Sequence, residues 1–158
     1  MQLKTAVGAF FVEFSSFETH SVGMALRSLS KDAVFVQQTE RLLDLEGRLT
    51  LLNRMALARG ISPIVMAELD ACLLRARKLR DQRDEVARNM MNLEGSGSAP
   101  RAPKPLRVRR TNFAQLEQLW MPGLAQIQML TTESVELQEW LRTIVRKIEQ
   151  ETAIEQVA

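Results

Sequence analysis

Residues 63–93 read PIVMAELDACLLRARKLRDQRDEVARNMMNL, and this stretch decides the fold. Its apolar residues recur at three- and four-residue steps, the spacing of one face of an α-helix. The recurring positions are Met66, Leu69, Leu73, Ala76, Leu79, Val86, Met90 and Leu93. The Ser62 hydroxyl can accept hydrogen bonds from N–H groups that the first helical turn leaves unpaired. Pro63 suits the first helical position, because no N–H is needed there. The stretch therefore predicts one long amphipathic helix.

Two more amphipathic helices are predicted before this stretch, over residues 5–29 and 33–59. The stripe of the first helix is Val7, Phe10, Phe14, Phe17, Ser21 and Met24. The stripe of the second is Phe35, Leu42, Leu45, Leu49, Leu52 and Met55. Asp32 is the expected N-cap of the second helix. Gly60 is its expected stop, because glycine readily adopts the left-handed conformation that ends helices.

The C-terminal part divides into a connector and a last helix. Residues 95–111 read GSGSAPRAPKPLRVRRT, and their three prolines and two glycines predict a flexible linker. Residues 112–158 carry apolar residues with a seven-residue period, with an expected kink at Pro122. Packing of this helix on the other three is the simplest interpretation, and a parallel coiled-coil dimer is the alternative.

The fold class follows from these segments. We predict an all-α protein, an up-down bundle of four to five helices in one domain. Residues 1–94 supply three long helices that form the bundle core, residues 95–111 a flexible basic linker, and residues 112–158 a C-terminal helix that packs on the bundle. The 158-residue length suits one domain.

Composition excludes several function classes. A single cysteine, Cys72, permits no intrachain disulfide and no cysteine-based zinc site, and a single histidine, His20, argues against a multi-histidine metal site. We expect Cys72 to be a buried thiol, His20 to be a surface or packed residue, and no metal or cofactor to be bound. No run approaches the roughly 20 apolar residues that span a bilayer. Without a signal peptide either, the predicted location is a bacterial cytoplasm.

The net charge of +2 is unevenly distributed. Residues 95–111 hold five basic and no acidic residues, whereas residues 112–158 hold three basic and seven acidic residues. The basic cluster consists of Arg101, Lys104, Arg107, Arg109 and Arg110. Such a cluster can contact phosphates, an acidic lipid surface or an acidic partner. A solvated linker or a contact with the acidic last helix is the favoured interpretation, and a nucleic-acid contact is the alternative.

Two charged residues lie on or beside apolar helix faces. Arg83 is flanked at helical spacing by Leu79 and Val86, and Glu18 is flanked in the same way by Phe14 and Val22. A buried guanidinium without a partner would be strongly unfavourable. We therefore predict a buried Glu18–Arg83 ion pair between the first and third helices. Elsewhere in the Arg-rich run, the pairs Arg77–Asp81 and Arg80–Asp84 have the i,i+4 spacing that supports a solvated helix face.

Three short motifs resemble those of a known family. Residues 14–18 read FSSFE, residues 83–89 read RDEVARN, and residues 111–113 read TNF at the start of the last helix. This layout is similar to the HEPN superfamily, named for nucleotide binding in higher eukaryotes and prokaryotes. Its members carry a Phe-x-x-Phe-Glu type signature and then an Arg-Asn-x-x-Ala-His type motif. The resemblance implies an all-helical scaffold and a homodimer.

The resemblance also implies an inactive relative. Active members cleave RNA with an Arg-x-x-x-x-His motif, in which Arg stabilises phosphate charge and His transfers a proton. Here Arg83 matches the Arg, but Arg88 stands at the His position and Asp84 adds a negative charge. A guanidinium cannot exchange a proton near neutral pH. The other register, with Arg88-Asn89 as the Arg-Asn pair, places Leu93 at the His position. Arg83, Asp84, Arg88 and Asn89 thus form a degenerate motif that could still bind phosphate.

The favoured function is a non-catalytic, HEPN-like helical interaction protein that forms a dimer and binds a protein partner. The alternative is an RNA- or nucleotide-binding protein, and a further one is a helical assembly protein. An RNA-binding surface would use Arg75, Arg77, Lys78, Arg80 and Arg88, together with Arg107, Arg109 and Arg110. An enzyme is the least supported class, since no His/Asp, Cys/His or paired-carboxylate site is visible.

Overall fold

Helices form nearly all of the protein that the computed structural model describes, residues 2–94 and 123–155. The elements are α1 (Gln2–Ser16), a π-turn (Phe17–Ser21), α2 (Val22–Leu29), α3 (Ala33–Leu42), α4 (Leu45–Ala58), α5 (Pro63–Glu94) and α6 (Leu124–Glu155). These residues contain no β-strand. The predicted all-α fold class is therefore confirmed.

The core lies between α1, α5 and α6, with α2 and α4 packed at one end. α6 packs along α1 and α5 and also contacts α2 and the π-turn. The largest fully buried side chains are Phe10, Phe14, Phe17, Leu26, Leu49, Leu52, Leu69, Leu73, Leu79, Ile127, Leu137 and Leu141. Burial of a Leu or Phe side chain contributes roughly 1.5–3 kcal/mol, so this cluster supplies the main stabilisation.

A π-turn interrupts the first predicted helix. It adds one residue to a helical turn, so the apolar stripe continues from Phe17 to Val22, five residues later, and both are fully buried. Ser21 and Met24, which the regular spacing placed in the stripe, are displaced from it, and Met24 is 48% exposed. The prediction of one regular helix over residues 5–29 is therefore wrong at this turn.

The second predicted helix is two helices. Leu43 is extended, and the Asp44 carboxylate accepts a hydrogen bond from the Gly47 N–H at 2.8 Å, which starts α4. Because the chain changes direction at this break, the stripe of α4 does not continue into α3. Phe35 and Leu42 are 62% and 86% exposed, so their prediction as core residues is wrong.

The other helix ends follow the sequence signals. Asp32 Oδ1 accepts hydrogen bonds from the N–H groups of Val34 and Phe35, at 3.0 and 2.9 Å. The Ser62 hydroxyl accepts from the Val65 N–H at 3.4 Å and thereby caps α5. Gly60 has φ +69°, the left-handed conformation expected after α4. Short polar side chains therefore satisfy N–H groups that α3 and α5 leave unpaired.

Two exposed glycines form a matched pair for a stability test. A Cβ added at Gly8 or at Gly60 meets no atom within 4 Å, but only Gly60 has a positive φ. We expect Gly8→Ala to raise the free energy of unfolding by about 1 kcal/mol, because alanine favours the helix. We expect Gly60→Ala to lower it by about 1 kcal/mol through backbone strain. Urea unfolding at equal protein concentration measures both, and equal effects would contradict the backbone assignment.

Several predictions fall on residues 95–122, which lie outside the described part of the chain. These are the flexible linker, the expected kink at Pro122 and the TNF motif. The basic cluster of Arg101, Lys104, Arg107, Arg109 and Arg110 also lies there. Within residues 2–94 and 123–155, no helix is long and apolar enough to cross a membrane.

Candidate functional site

Arg83 and Glu18 are in contact, as predicted. Arg83 Nη1 lies 3.1 Å from Glu18 Oε2, so the pair joins α5 to the π-turn. The remaining side of the guanidinium faces its neighbour in α5, because Nε and Nη2 donate to Asp84 Oδ1 at 2.9 and 2.6 Å. Arg83 Cζ also lies 4.9 Å from the centre of the Phe14 ring, which makes a cation–π contact. We name Phe14, Glu18, Arg83 and Asp84 the arginine cluster.

The arginine cluster is half-buried rather than buried. The side chains of Arg83 and Glu18 are 26% and 24% exposed, and that of Asp84 is 49% exposed. Phe14, beneath the guanidinium, is fully buried. The cluster contains two carboxylates, Glu18 and Asp84, and one cation, Arg83. Its net charge is therefore negative. An incoming phosphate would meet repulsion from Glu18 and Asp84 unless both moved away.

The π-turn positions Glu18, and other elements hold the backbone around it. Gln138 Nε2 in α6 donates to the Glu13 carbonyl oxygen at 3.2 Å. Arg48 Nη1 in α4 donates to the Glu18 carbonyl oxygen at 3.3 Å. A π-turn alters the regular carbonyl pattern of a helix, and these side chains supply one donor before it and one within it. Backbone contacts from two helices, α4 and α6, therefore help to present the Glu18 carboxylate to α5.

The remaining residues of the degenerate motif do not join the arginine cluster as a phosphate site. Arg88 is exposed, and its Nε donates to the Asp84 carbonyl oxygen at 3.3 Å. Its neighbour Asn89 is only 8% exposed. The two residues therefore lie in opposite environments on α5. Among the four motif residues, only the side chains of Arg83 and Asp84 are joined by hydrogen bonds to each other. Asn89 faces the bundle.

His20 lies outside the arginine cluster. It is exposed and lines a groove of about 210 Å³ between α2 and α6, together with Met24, Gln138 and Arg142. Glu18, two residues earlier, faces α5 instead. The two side chains therefore point toward different helices, as their spacing predicts, and they do not form an acid–base pair.

Two arginines of α5 share one carboxylate of α4. Arg77 Nη2 lies 2.8 Å from Glu46 Oε1, and Arg80 Nη1 lies 3.0 Å from Glu46 Oε2. The hydrogen bond from Arg77 is the main cause of the lowered pKa of Glu46. Arg80 also contacts the adjacent Asp81 at 3.1 Å. The predicted Arg77–Asp81 and Arg80–Asp84 pairs are therefore wrong, because a carboxylate on the neighbouring helix binds both guanidinium groups.

Cys72 is fully buried between apolar side chains of α5, as predicted. Burial raises the pKa of its thiol to about 12, because the thiolate would lose its hydration. Across residues 2–94 and 123–155, no group of three or more His, Cys, Asp or Glu side chains is arranged to hold a metal ion.

Sequence reasoning missed the exposed apolar surface of α3. Val34, Phe35 and Leu42 are 65%, 62% and 86% exposed. The signal that could have found it is Asp44, a good N-cap residue in the middle of the predicted second helix. A helix break at that position would have separated the stripe of α3 from that of α4.

A double-mutant cycle tests the strength of the Glu18–Arg83 contact. We expect Glu18→Gln and Arg83→Met to show a coupling free energy of about 1–2 kcal/mol in urea unfolding, because the pair is half-buried. The more exposed Glu139–Arg142 pair of α6 is the control, and its cycle should give about 0.3 kcal/mol. Equal coupling in the two cycles would contradict a special role for the Glu18–Arg83 pair.

Together, fold and site define the chain as an all-α bundle protein with a half-buried carboxylate–guanidinium cluster at a π-turn. A comparison of the chain with protein-family models, with curated proteins and with solved structures found no match. Its function is therefore inferred from its own residues.

Proposed function

We propose that the chain is a non-catalytic helical interaction protein, with a HEPN-like scaffold and a dimeric state, that binds a protein partner through α3. The observation that carries this proposal is the exposure of Phe35 and Leu42 on one helix. The two are seven residues apart and therefore lie on the same face of α3. Clustered exposed apolar side chains are typical of protein-binding surfaces.

α3 is held firmly enough to present that face. Its inner side carries Val36, which is buried, and Glu40, which is 8% exposed. Glu40 Oε2 accepts a hydrogen bond from Arg27 Nη1 at 3.1 Å, which joins α3 to α2. The Glu40 carbonyl oxygen also accepts from Arg48 Nε at 3.1 Å. A helix held on its inner side loses little further freedom on binding, and this favours affinity.

The expected partner is a protein with an apolar groove or helix face. Phe35 supplies an aromatic anchor and Leu42 an aliphatic one, two turns apart. This is the pattern by which an amphipathic helix enters an apolar groove. Aromatic residues carry a large share of the binding free energy at such contacts.

The arginine cluster supports the non-catalytic part of the proposal. Arg83 already contacts Glu18, Asp84 and the Phe14 ring, and a substrate phosphate would have to compete with them. Arg88 occupies the position of the base in active HEPN ribonucleases, to which this chain bears its resemblance. A guanidinium does not give up a proton near neutral pH.

Matched surface variants test binding through α3. The tagged full-length chain is used to capture proteins from its native host, and captured proteins are identified by mass spectrometry. We expect a specific partner to be lost from the double variant Phe35→Ser, Leu42→Ser. The same partner should be retained by Val12→Ser, because Val12 is 66% exposed but lies on α1. Purified partner should then bind the wild type directly, and equal binding by all variants would contradict the proposal.

The RNA- or nucleotide-binding alternative rests on basic residues of two segments. Those of α5 are Arg75, Arg77, Lys78, Arg80 and Arg88, and the others, Arg107, Arg109 and Arg110, lie outside the described residues. This alternative predicts binding that weakens steeply with salt, because phosphate contacts release counterions. An apolar contact through α3 predicts little salt dependence. The helical-assembly alternative predicts particles much larger than a dimer, which sedimentation distinguishes.

A further inference from the structure

A second apolar stripe runs along the outside of α5. It consists of Ile64, Ala67, Ala71 and Leu74, and all four side chains are exposed, Ile64 at 75% and Leu74 at 53%. The stripe lies opposite the core residues of the same helix. Trp140 of α6, which is 38% exposed, lies beside the stripe. Together with Ile64, Ala67 and Ala71 it lines a groove whose walls are almost entirely apolar.

Ion pairs border this groove at both ends. Lys147 Nζ lies 2.6 Å from Glu68 Oε2, and Arg75 contacts Glu133. Lys147 lies seven residues after Trp140 in α6, and Glu133 lies seven residues before it. Each ion pair therefore joins α5 to α6 about two helical turns from the indole. An apolar centre with a polar rim is the anatomy of a protein interface, and tryptophan is the residue type most enriched among its strongest contacts.

The order of residues in the stripe is symmetric. The four residues are spaced by three, four and three positions, which is the same from either end. A large aliphatic residue stands at each end of the stripe, and the two alanines stand between them. If two copies of α5 lie antiparallel, with a two-fold axis level with Leu69, Ile64 of one copy faces Leu74 of the other. Ala67 then faces Ala71, which lets the two backbones approach closely. A two-fold interface requires such self-complementarity.

The charged side chains of α5 flank the paired stripe. Glu68 lies level with Asp70 of the other copy, but its charge is already balanced by Lys147 of its own chain. Residues 75–80 contain only basic charges and lie level with residues 58–63 of the other copy, beyond the paired stripes. Lys78 continues the stripe one turn beyond Leu74 and is exposed.

We infer that the Ile64–Leu74 stripe, with Trp140, is the surface through which two copies of this chain associate, α5 antiparallel to α5. The inference deepens the dimeric part of the proposed function and rests on it. It does not depend on the partner surface of α3, which lies on another helix. The occupant of the groove is thus a second copy of the chain itself.

Disulfide trapping tests the register of the pair. Chains carrying Ile64→Cys and chains carrying Leu74→Cys are purified separately, and each is oxidised alone and in an equal mixture. Positions 64 and 74 face each other across the predicted axis, whereas two copies of position 64 lie roughly 15 Å apart, beyond disulfide reach. We expect at least ~10-fold more linked dimer in the mixture than in either variant alone. The buried Cys72 contributes little at neutral pH.

A charge placed in the stripe tests the same surface without cysteines. In sedimentation of the full-length chain, Ala71→Arg should shift wild-type dimer to monomer with an unchanged helical circular dichroism spectrum. Ala125→Arg, at an exposed alanine of α6, should leave the dimer intact. A wild-type monomer would overturn both this inference and the dimeric part of the proposed function.

The other outcomes distinguish the α5 surface from the dimeric state itself. A wild-type dimer that Ala71→Arg does not disrupt, or that gives no linkage in the mixture, would overturn this surface and leave the dimer standing. Linkage as strong in each single variant as in the mixture would overturn the antiparallel register.

Discussion

Phe14→Ala is expected to lower the free energy of unfolding by about 3–5 kcal/mol, the range for truncation of a buried phenylalanine. Phe14 is fully buried, and its ring contacts those of Phe10 and Phe17, with centroid distances of 6.3 and 6.1 Å. It also lies beneath the Arg83 guanidinium, so the variant removes a cation–π contact together with apolar burial. Urea unfolding followed by circular dichroism measures the loss.

Phe35→Ala is the matched control. The residue type and the substitution are the same, but Phe35 is 62% exposed. We expect its free energy of unfolding to change by less than about 0.5 kcal/mol, as for most surface substitutions. A loss as large as that of Phe14→Ala would show that α3 is packed into the core and would contradict its proposed role as a binding surface.

Cys72 is expected to react with iodoacetamide about 1000-fold more slowly in the folded protein than in the unfolded chain at pH 8. Its pKa rises from 9.0 to about 12, and the fraction of thiolate, the form that attacks the reagent and displaces iodide, falls accordingly. Mass spectrometry of timed samples gives the two rates. The added Ile64→Cys thiol is the control, since Ile64 is 75% exposed and its thiol should react rapidly. Similar rates for the two thiols would contradict the burial of Cys72.

The same raised pKa predicts a loss of stability at high pH. The folded state holds the thiol proton more tightly than the unfolded state, so stabilisation by Cys72 is present below about pH 9 and is lost as the pH rises toward 12. Unfolding of the wild type should therefore depend more steeply on pH in this window than unfolding of Cys72→Ala. Parallel pH profiles would show that the folded thiol keeps an ordinary pKa.

Helix type and most helix ends could be predicted from sequence because they depend on local chemistry. Asp32, Gly60 and Ser62 act within one turn of their own position. The π-turn could not be predicted in this way, because Gln138 and Arg48 from other helices help to hold it. The break at Asp44 left a local signal, but an uninterrupted apolar pattern on either side obscured it.

The arginine cluster was partly predictable. Burial of an unpaired cation is so unfavourable that a charged residue on an apolar face implies a partner, and Glu18 was the partner that helical spacing offered. Its exposed fraction depends on the angle between helices, which periodicity does not specify. The second contact joins the adjacent residues Arg83 and Asp84, which helical spacing does not place on one face. The angle between helices also explains why Glu46 of α4 binds both Arg77 and Arg80, in place of the partners expected four residues along α5.

We propose that Arg83 serves the fold and that the chain acts by binding rather than by catalysis. Incubation of the full-length wild type and Arg83→Ala with end-labelled RNA, over a series of salt concentrations, tests it most directly. We expect no cleavage by either protein and no difference in RNA retention between them. Cleavage by the wild type that Arg83→Ala abolishes would contradict it.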